Sequence, residues 1–227
     1  MTDVRAASEL RKKYTHFRIL VIGRANAGKT TILKRVCNTT EDPRFYDEKN
    51  NALLEPTSEV INTPLLLGLA NEQRFLFEQR GHHDINHPFV FKENQEFIFH
   101  DSPGFEAGDK RQLEEVQAFI KKHAKARNPR DQLHAIWFCF TPDVPRFLLD
   151  LEKRFFNEER AGNVPVIAVF TKFDDLINYV YDTTLDEDDN RRVAQEKLDK
   201  LKAPLFNDCQ FPPKAGVTLE GMLIDLL

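Results

Sequence analysis

Eight consecutive residues, Gly23-Arg24-Ala25-Asn26-Ala27-Gly28-Lys29-Thr30, read G-x-x-x-x-G-K-[ST]. Residues of this kind at this spacing form a loop whose successive backbone N–H groups close around phosphate oxygens, with the positive end of the next helix aimed at them. Lys29 is then the cation for the β- and γ-phosphates, the Thr30 hydroxyl is a Mg²⁺ ligand, and Thr31 continues into the helix. Downstream, Asp101-Ser102-Pro103-Gly104 ends an apolar run. An aspartate emerging beside such a loop is placed to hold Mg²⁺, usually through water, and a glycine three residues on can offer its N–H to the γ-phosphate without a side chain in the way. Alone, D-x-x-G is a common turn; its force comes from the phosphate loop.

A third element, Thr171-Lys172-Phe173-Asp174, follows the most apolar run of the chain. A carboxylate there can accept from both N1–H and the exocyclic amine of guanine, a pairing adenine cannot offer. The ligand set implied is GTP or GDP with Mg²⁺. An exposed turn aspartate is the plainer alternative for Asp174.

Strand-like runs must hold these loops in place. Phe17 to Ile22 leads into Gly23, Phe97-Ile98-Phe99 leads into Asp101, and Ala135 to Phe140 and Val164 to Phe170 are nearly continuous apolar segments. Runs of this sort suit central strands covered on both faces. Between them, Lys29 to Val36, Leu113 to Ala126, Phe147 to Glu159 and Asn190 to Leu201 carry apolar residues at helical spacing, which predicts four helices. Phe89-Val90-Phe91, Lys92 to Gln95 and Glu96 to Phe99 read as a hairpin. The expected fold is therefore α/β: a mostly parallel central sheet with helices on both faces and one antiparallel strand. Two stretches show no periodicity, Asn38 to Pro88 and the acidic Asp182 to Asp189; the second reads as a solvated loop.

Composition narrows the class. With 227 residues the chain is expected to be a single domain, 1–227, carrying a long insertion at about 38–88. A net charge of -4 gives no electrostatic case for nucleic acid. Three widely spaced cysteines, Cys37, Cys139 and Cys209, form neither a zinc motif nor a disulfide framework, which suits a reducing compartment. No apolar run reaches the ~20 residues of a membrane span, and the opening residues are polar, so a cytoplasmic location is the expectation.

GRANAGKT, DSPG and TKFD resemble the first, third and fourth motifs of TRAFAC-type GTPases, from about Phe17 onward. The threonine opening TKFD is similar to septin-like and GIMAP-like proteins, and the resemblance implies that Lys172 lies along the base while Asp174 reads it. GRANAGKT also resembles the loops of Era- and TrmE-like GTPases, which implies that Asn26 helps ligate K⁺; an asparagine that merely suits a tight loop is the alternative. HDSPGFEAG, HAIWFCF and VPVIAVFTKFD resemble fungal G-domain proteins of undefined role. That likeness implies a last strand near Phe211 to Leu219, with Thr218, Leu219 and Glu220 as a degenerate loop beside the base.

The chain departs from the Ras-like pattern at Phe105, which stands where a water-orienting glutamine follows the D-x-x-G glycine. A phenyl ring can neither orient nor deprotonate water, so slow GTP hydrolysis is expected. The groups that could serve instead, alongside Lys29 and Gly104, are Glu106, Arg80, His82 and His83, or a group supplied across a homodimer at the nucleotide face. The His pair also admits zinc, without a cysteine to accompany it. Thr57, after Pro56, is the expected first-switch ligand to Mg²⁺, among Thr39, Thr40, Thr57 and Thr63. Three functions stay open at this point: a GTP-hydrolysing switch, a nucleotide-dependent assembly module with little turnover, and an ATP-using P-loop kinase, which would lack TKFD.

Overall fold

Short, nearly continuous runs of β-branched and aromatic residues produce the central strands of the sheet seen in the computed structural model, which describes residues 16–41, 43–47, 52–53, 85–102, 104–105 and 110–220. The strands are β1 (Phe17–Gly23), β2 (Arg44–Asp47), β3 (Ala52–Leu53), β4 (Phe89–Phe91), β5 (Asn94–Asp101), β6 (Ala135–Phe140), β7 (Val166–Phe170) and β8 (Ala215–Thr218). They lie in the order β3-β2-β4-β5-β1-β6-β7-β8. The helices are α1 (Lys29–Val36), α2 (Lys110–Ala124), α3 (Asp150–Asn157), α4 (Phe173–Val180) and α5 (Glu187–Asn207).

The six strands from β4 to β8 form the expected mostly parallel sheet, with β4 antiparallel to β5. The segment expected to be irregular adds to it: β2 pairs antiparallel with β4, and β3 with β2. These strands are four and two residues long, too short to carry a period that a sequence window can register. Two helix expectations also need correction. α4 begins inside TKFD itself, and α5 starts within the acidic tract, where the Asp186 side chain caps the helix by accepting from the Asp189 N–H at 2.8 Å. Among the described residues no helix is long and apolar enough to cross a membrane.

Strand alternation sorts the apolar residues onto two faces. Leu20 and Ile22 join Phe138, Phe140 and Phe170 beneath α2, α3 and α5, whereas Ile19 and Val21 join Phe99, Val169 and the Ile32 and Leu33 of α1 on the other. Phenylalanines bind α3 to the sheet: Phe138 lies 5.1 Å, ring centre to ring centre, from both Phe155 and Phe156, and 4.7 Å from Phe140. Each buried ring of this kind stabilises the fold by about 1.5–3 kcal/mol.

At the end of β1 away from the phosphate loop, Arg18 is buried and donates to His100 Nε2 at 2.6 Å, while His100 Nδ1 donates to the Ile85 carbonyl at 2.7 Å. Burial, then the Arg18 guanidinium, push the His100 pKa down to about 3, with His123 and Lys122 acting in the same direction and the Ile85 bond against it. The unfolded chain therefore takes a proton near the ordinary value of 6.5 that the folded chain refuses until about 3. Stability from this site is complete above 6.5 and is lost as the pH falls toward 3, at about 1.4 kcal/mol per pH unit for one proton. Urea unfolding between about pH 7 and 5 should show this slope in the unmutated chain and a shallower one in His100→Gln; equal slopes would mean that His100 does not govern it.

Candidate nucleotide site

The parallel strands β5, β1, β6, β7 and β8 end along one edge of the sheet, because register aligns Val21 with Asp101, Gly23 with Cys139, Phe140 with Phe170 and Phe170 with Thr218. β1 is followed in sequence by strands on one side, β2 to β5, and then on the other, β6 to β8, so the chain switches direction beside β1. Ligands of open α/β sheets bind outside strand C-termini at such a switch.

The loop after β1 is built by close approach. A Cβ on Gly23 would stand 2.6 Å from the Cys139 carbonyl oxygen of the neighbouring strand, so a larger residue would force the two apart. Asn26 at φ 58° and Gly28 at φ 70° adopt left-handed backbone, which bends the chain around before α1 opens at Lys29. The Ala27 N–H donates to the Arg24 carbonyl at 3.2 Å. Lys29 is buried, and its Nζ donates to the Gly23 and Arg24 carbonyls at 3.1 and 3.0 Å. Thr30 is exposed at the second position of α1, Thr31 is half-buried, and Ala25 and Asn26 face solvent.

Asp101 is buried at the end of β5, next to the same loop. Both charges act on the Cys139 thiol of β6: burial pushes its pKa up to about 12, with Lys29 pulling downward and Asp101 pushing upward. Ser102 and Phe105 donate their N–H groups to the Val21 and Gly23 carbonyls at 3.0 and 3.2 Å, fastening the segment to β1. A Cβ on Gly104 would lie 2.7 Å from the Ala25 nitrogen, so D-x-x-G and the phosphate loop meet with room for hydrogen only. Phe105 is fully buried against Phe138 and Phe155, at 5.7 and 6.4 Å between ring centres.

On the far side of β6, Thr171 is buried, its N–H and Oγ1 donating to the Phe140 carbonyl at 2.8 and 3.2 Å. Lys172 takes left-handed backbone, φ 53°, at the start of α4, which leaves Asp174 half-buried in the first helical turn. The Phe173 N–H donates to the Leu219 carbonyl at 3.5 Å and the Leu219 N–H to the Phe170 carbonyl at 2.8 Å. Thr218, Leu219 and Glu220 thus stand beside TKFD. Arg35 of α1 donates to the Glu220 carbonyl at 2.8 Å, and Arg191 of α5 pairs with the Glu220 carboxylate.

Thr57, Arg80, His82, His83 and Glu106 lie outside the described residues. Among the described residues no three His, Cys, Asp or Glu side chains gather as for a metal. The Arg24 side chain is bound to Glu152, a helical residue with no local sequence mark of such a role. Glu152 lies three residues after Leu149 and accepts its N–H, a helix-start contact; because no Ser or Thr stands at 149, the usual local signature is missing.

Phosphate loop, D-x-x-G and TKFD on one sheet edge, carried by this strand order, give the chain the architecture of a P-loop G domain. No protein-family model and no curated protein matches it. Among solved structures it is similar to the septin GTPase domain from Chlamydomonas reinhardtii, at 20% identity over 85% of this chain and 61% of that one, TM-score 0.45. It is also similar to an S. thermophilus NFeoB mutant bound to mGDP, at 12% over 89% and 55%, TM-score 0.43. A third likeness is to chloroplast translocon components atToc33 and psToc159, at 13% over 93% and 72%, TM-score 0.44. The chain spans less than two thirds of the septin and NFeoB chains.

Proposed function

We propose that the chain binds GTP and GDP with Mg²⁺ and hydrolyses GTP slowly, as a nucleotide-controlled switch. The observation that carries this reading is that Lys29 and Asp101 are both buried at the strand ends where Gly104 abuts the loop at Ala25, while Asp174, the acid suited to guanine, follows β7 on the same sheet edge. Lys29, buried and already bonded to two carbonyls of its own loop, is held where β- and γ-phosphate oxygens would replace those acceptors. Gly104 touches Ala25 of the loop, so a γ-phosphate lodged there bears on both segments at once. Thr30 and Asp101 are the residues that would hold Mg²⁺, which when bound neutralises charge on the β- and γ-phosphates. Leu219, bonded to Phe170 and Phe173, and Thr218 before it would border the base. Asn26, in left-handed backbone at the rim, is the candidate K⁺ contact.

Phe105 favours a second reading. Its ring is fully buried in the core, so the position after Gly104 supplies nothing to a water molecule. Catalysis then waits on Glu106, Arg80, His82 or a second copy across the nucleotide face, and without such help the domain acts as a guanine-nucleotide-dependent assembly module in the cytoplasm.

GTP turnover by purified protein, measured across protein concentrations in KCl and then in NaCl with GDP and ATP binding as controls, decides between the two. The switch reading expects tight GDP binding, weak ATP binding and slow turnover. A specific rate rising with concentration would favour catalysis across a dimer, and K⁺ dependence would place the ion at Asn26. Equal affinity for ATP and GDP would sink both.

A further inference from the structure

Arg24 is the first variable residue of the phosphate loop, and its half-buried side chain is bound into the protein. Nε donates to Glu152 Oε1 and Nη2 to Oε2, each at 2.8 Å, and Nη2 also donates to the Phe147 carbonyl at 2.8 Å. Glu152 is fully buried, and its Oε2 accepts the Leu149 N–H at 2.8 Å. The Arg24 backbone carries the loop itself: its carbonyl accepts from the Ala27 N–H and from Lys29 Nζ. One residue is thus gripped from α3 by its side chain while holding the turn and the phosphate-facing lysine by its main chain. α3 meets the other phosphate-side segment too, because Phe155, three residues after Glu152, packs on Phe105.

We propose that Glu152 is a positioning residue for nucleotide binding: its paired bonds to Arg24 anchor the phosphate loop to the start of α3 and keep the Arg24 guanidinium away from the phosphates. The inference rests on the nucleotide reading above. A buried ion pair adds little net stability compared with apolar packing of the same volume. Two parallel charge-assisted bonds do fix a direction, which a flexible lysine or an apolar contact would not. The placement of a glycine-rich loop is where direction matters, since its N–H groups must all converge.

The test is the affinity for a fluorescent GDP analogue of the unmutated chain, Arg24→Met and Arg24→Met/Glu152→Gln, with circular dichroism at each pH to establish folding. Among the described residues the charged groups hydrogen-bonded at this junction are Arg24 on the loop, Glu152 on α3, and Lys29 on the Arg24 carbonyl; 147–149 contributes backbone groups. In Arg24→Met the Glu152 carboxylate loses its counter-charge, so relative to the unmutated chain GDP binding should weaken further as the pH rises from about 6.5 to 8. The double variant has no carboxylate at 152 left without a counter-charge; it should fold and bind with the pH profile of the unmutated chain, yet stay about tenfold weaker, because the tether is gone. Should Arg24→Met fail to fold, the double variant alone decides. Affinity of the double variant within about twofold of the unmutated chain would reduce the pair to ordinary core structure and overturn the proposal. An unmutated chain that binds no GDP would overturn the nucleotide reading, and this inference with it.

Discussion

Lys29→Met should abolish measurable nucleotide binding at micromolar protein while leaving the fold intact. The side chain is buried, so methionine of similar length fills its space, and the two bonds removed go to the Gly23 and Arg24 carbonyls of its own loop. Both carbonyls keep a backbone partner when the ammonium goes, the Gly23 carbonyl accepting from the Phe105 N–H and the Arg24 carbonyl from the Ala27 N–H, so the effect on unfolding should be small. The effect on binding is large because ammonium–phosphate bonds are charge-assisted, at about 1.5–3 kcal/mol each. Two of them lost amount to about 3–6 kcal/mol, or roughly 10²–10⁴ in Kd. Isothermal titration with GDP and GTP would measure it, with urea unfolding as the control. A variant that binds GDP within about tenfold of the unmutated chain would show that Lys29 keeps its carbonyl bonds when ligand is present and does not serve the phosphates.

Why the turn that carries Lys29 was legible in the sequence, and the tether behind it was not, follows from the range of the forces involved. Gly28 and Lys29 are constrained by neighbours a few residues away: the loop must turn, Gly28 does so in left-handed backbone, and Lys29 bonds the Gly23 and Arg24 carbonyls. The flanking strands were visible for a related reason, since Leu20, Ile22, Phe138, Phe140 and Phe170 are buried inside one apolar cluster and leave near-continuous hydrophobic runs. Arg24 and Glu152 meet across 128 positions, and neither carries a local mark of the other. α4 was hidden differently. Phe173, Leu176, Ile177 and Val180 follow helical spacing, and Asp174 and Asp175 suit a first helical turn, but this helix of eight residues starts inside a motif already read as a loop. β2 and β3 could not be anticipated because they are short strands at one side of the sheet, specified by pairing of β2 with β4 and of β3 with β2 rather than by an alternating face. Thr57, Arg80, His82 and Glu106 remain expectations for the same stretch of chain and for the segment after Gly104.

Asp174→Asn should exchange the base preference rather than simply weaken it. Guanine presents two donors in a row, N1–H and the exocyclic amine, and a carboxylate accepts from both. An asparagine amide accepts with one atom and donates with the other, so one of the two guanine donors faces another donor. Xanthine carries a carbonyl where guanine has the amine, and it meets the amide with a donor and an acceptor in the matching order. The position suits this change: Asp174 is half-buried in the first turn of α4, its backbone held by the left-handed Lys172 and by the Phe173 to Leu219 bond, so an isosteric amide occupies the same place. Losing one charge-assisted bond and leaving a donor unpaired costs about 3 kcal/mol or more, so GDP affinity should fall by roughly 10²-fold or further. Xanthosine diphosphate should gain in the same variant and become the preferred competitor against a fluorescent guanine nucleotide. Lys29 and the phosphate loop are untouched by the change, so the diphosphate end contributes equally to both ligands and their ratio reports the base alone. If the variant still prefers GDP by the margin of the unmutated chain, the base is read elsewhere on the sheet edge and Asp174 is only a helix-start acid.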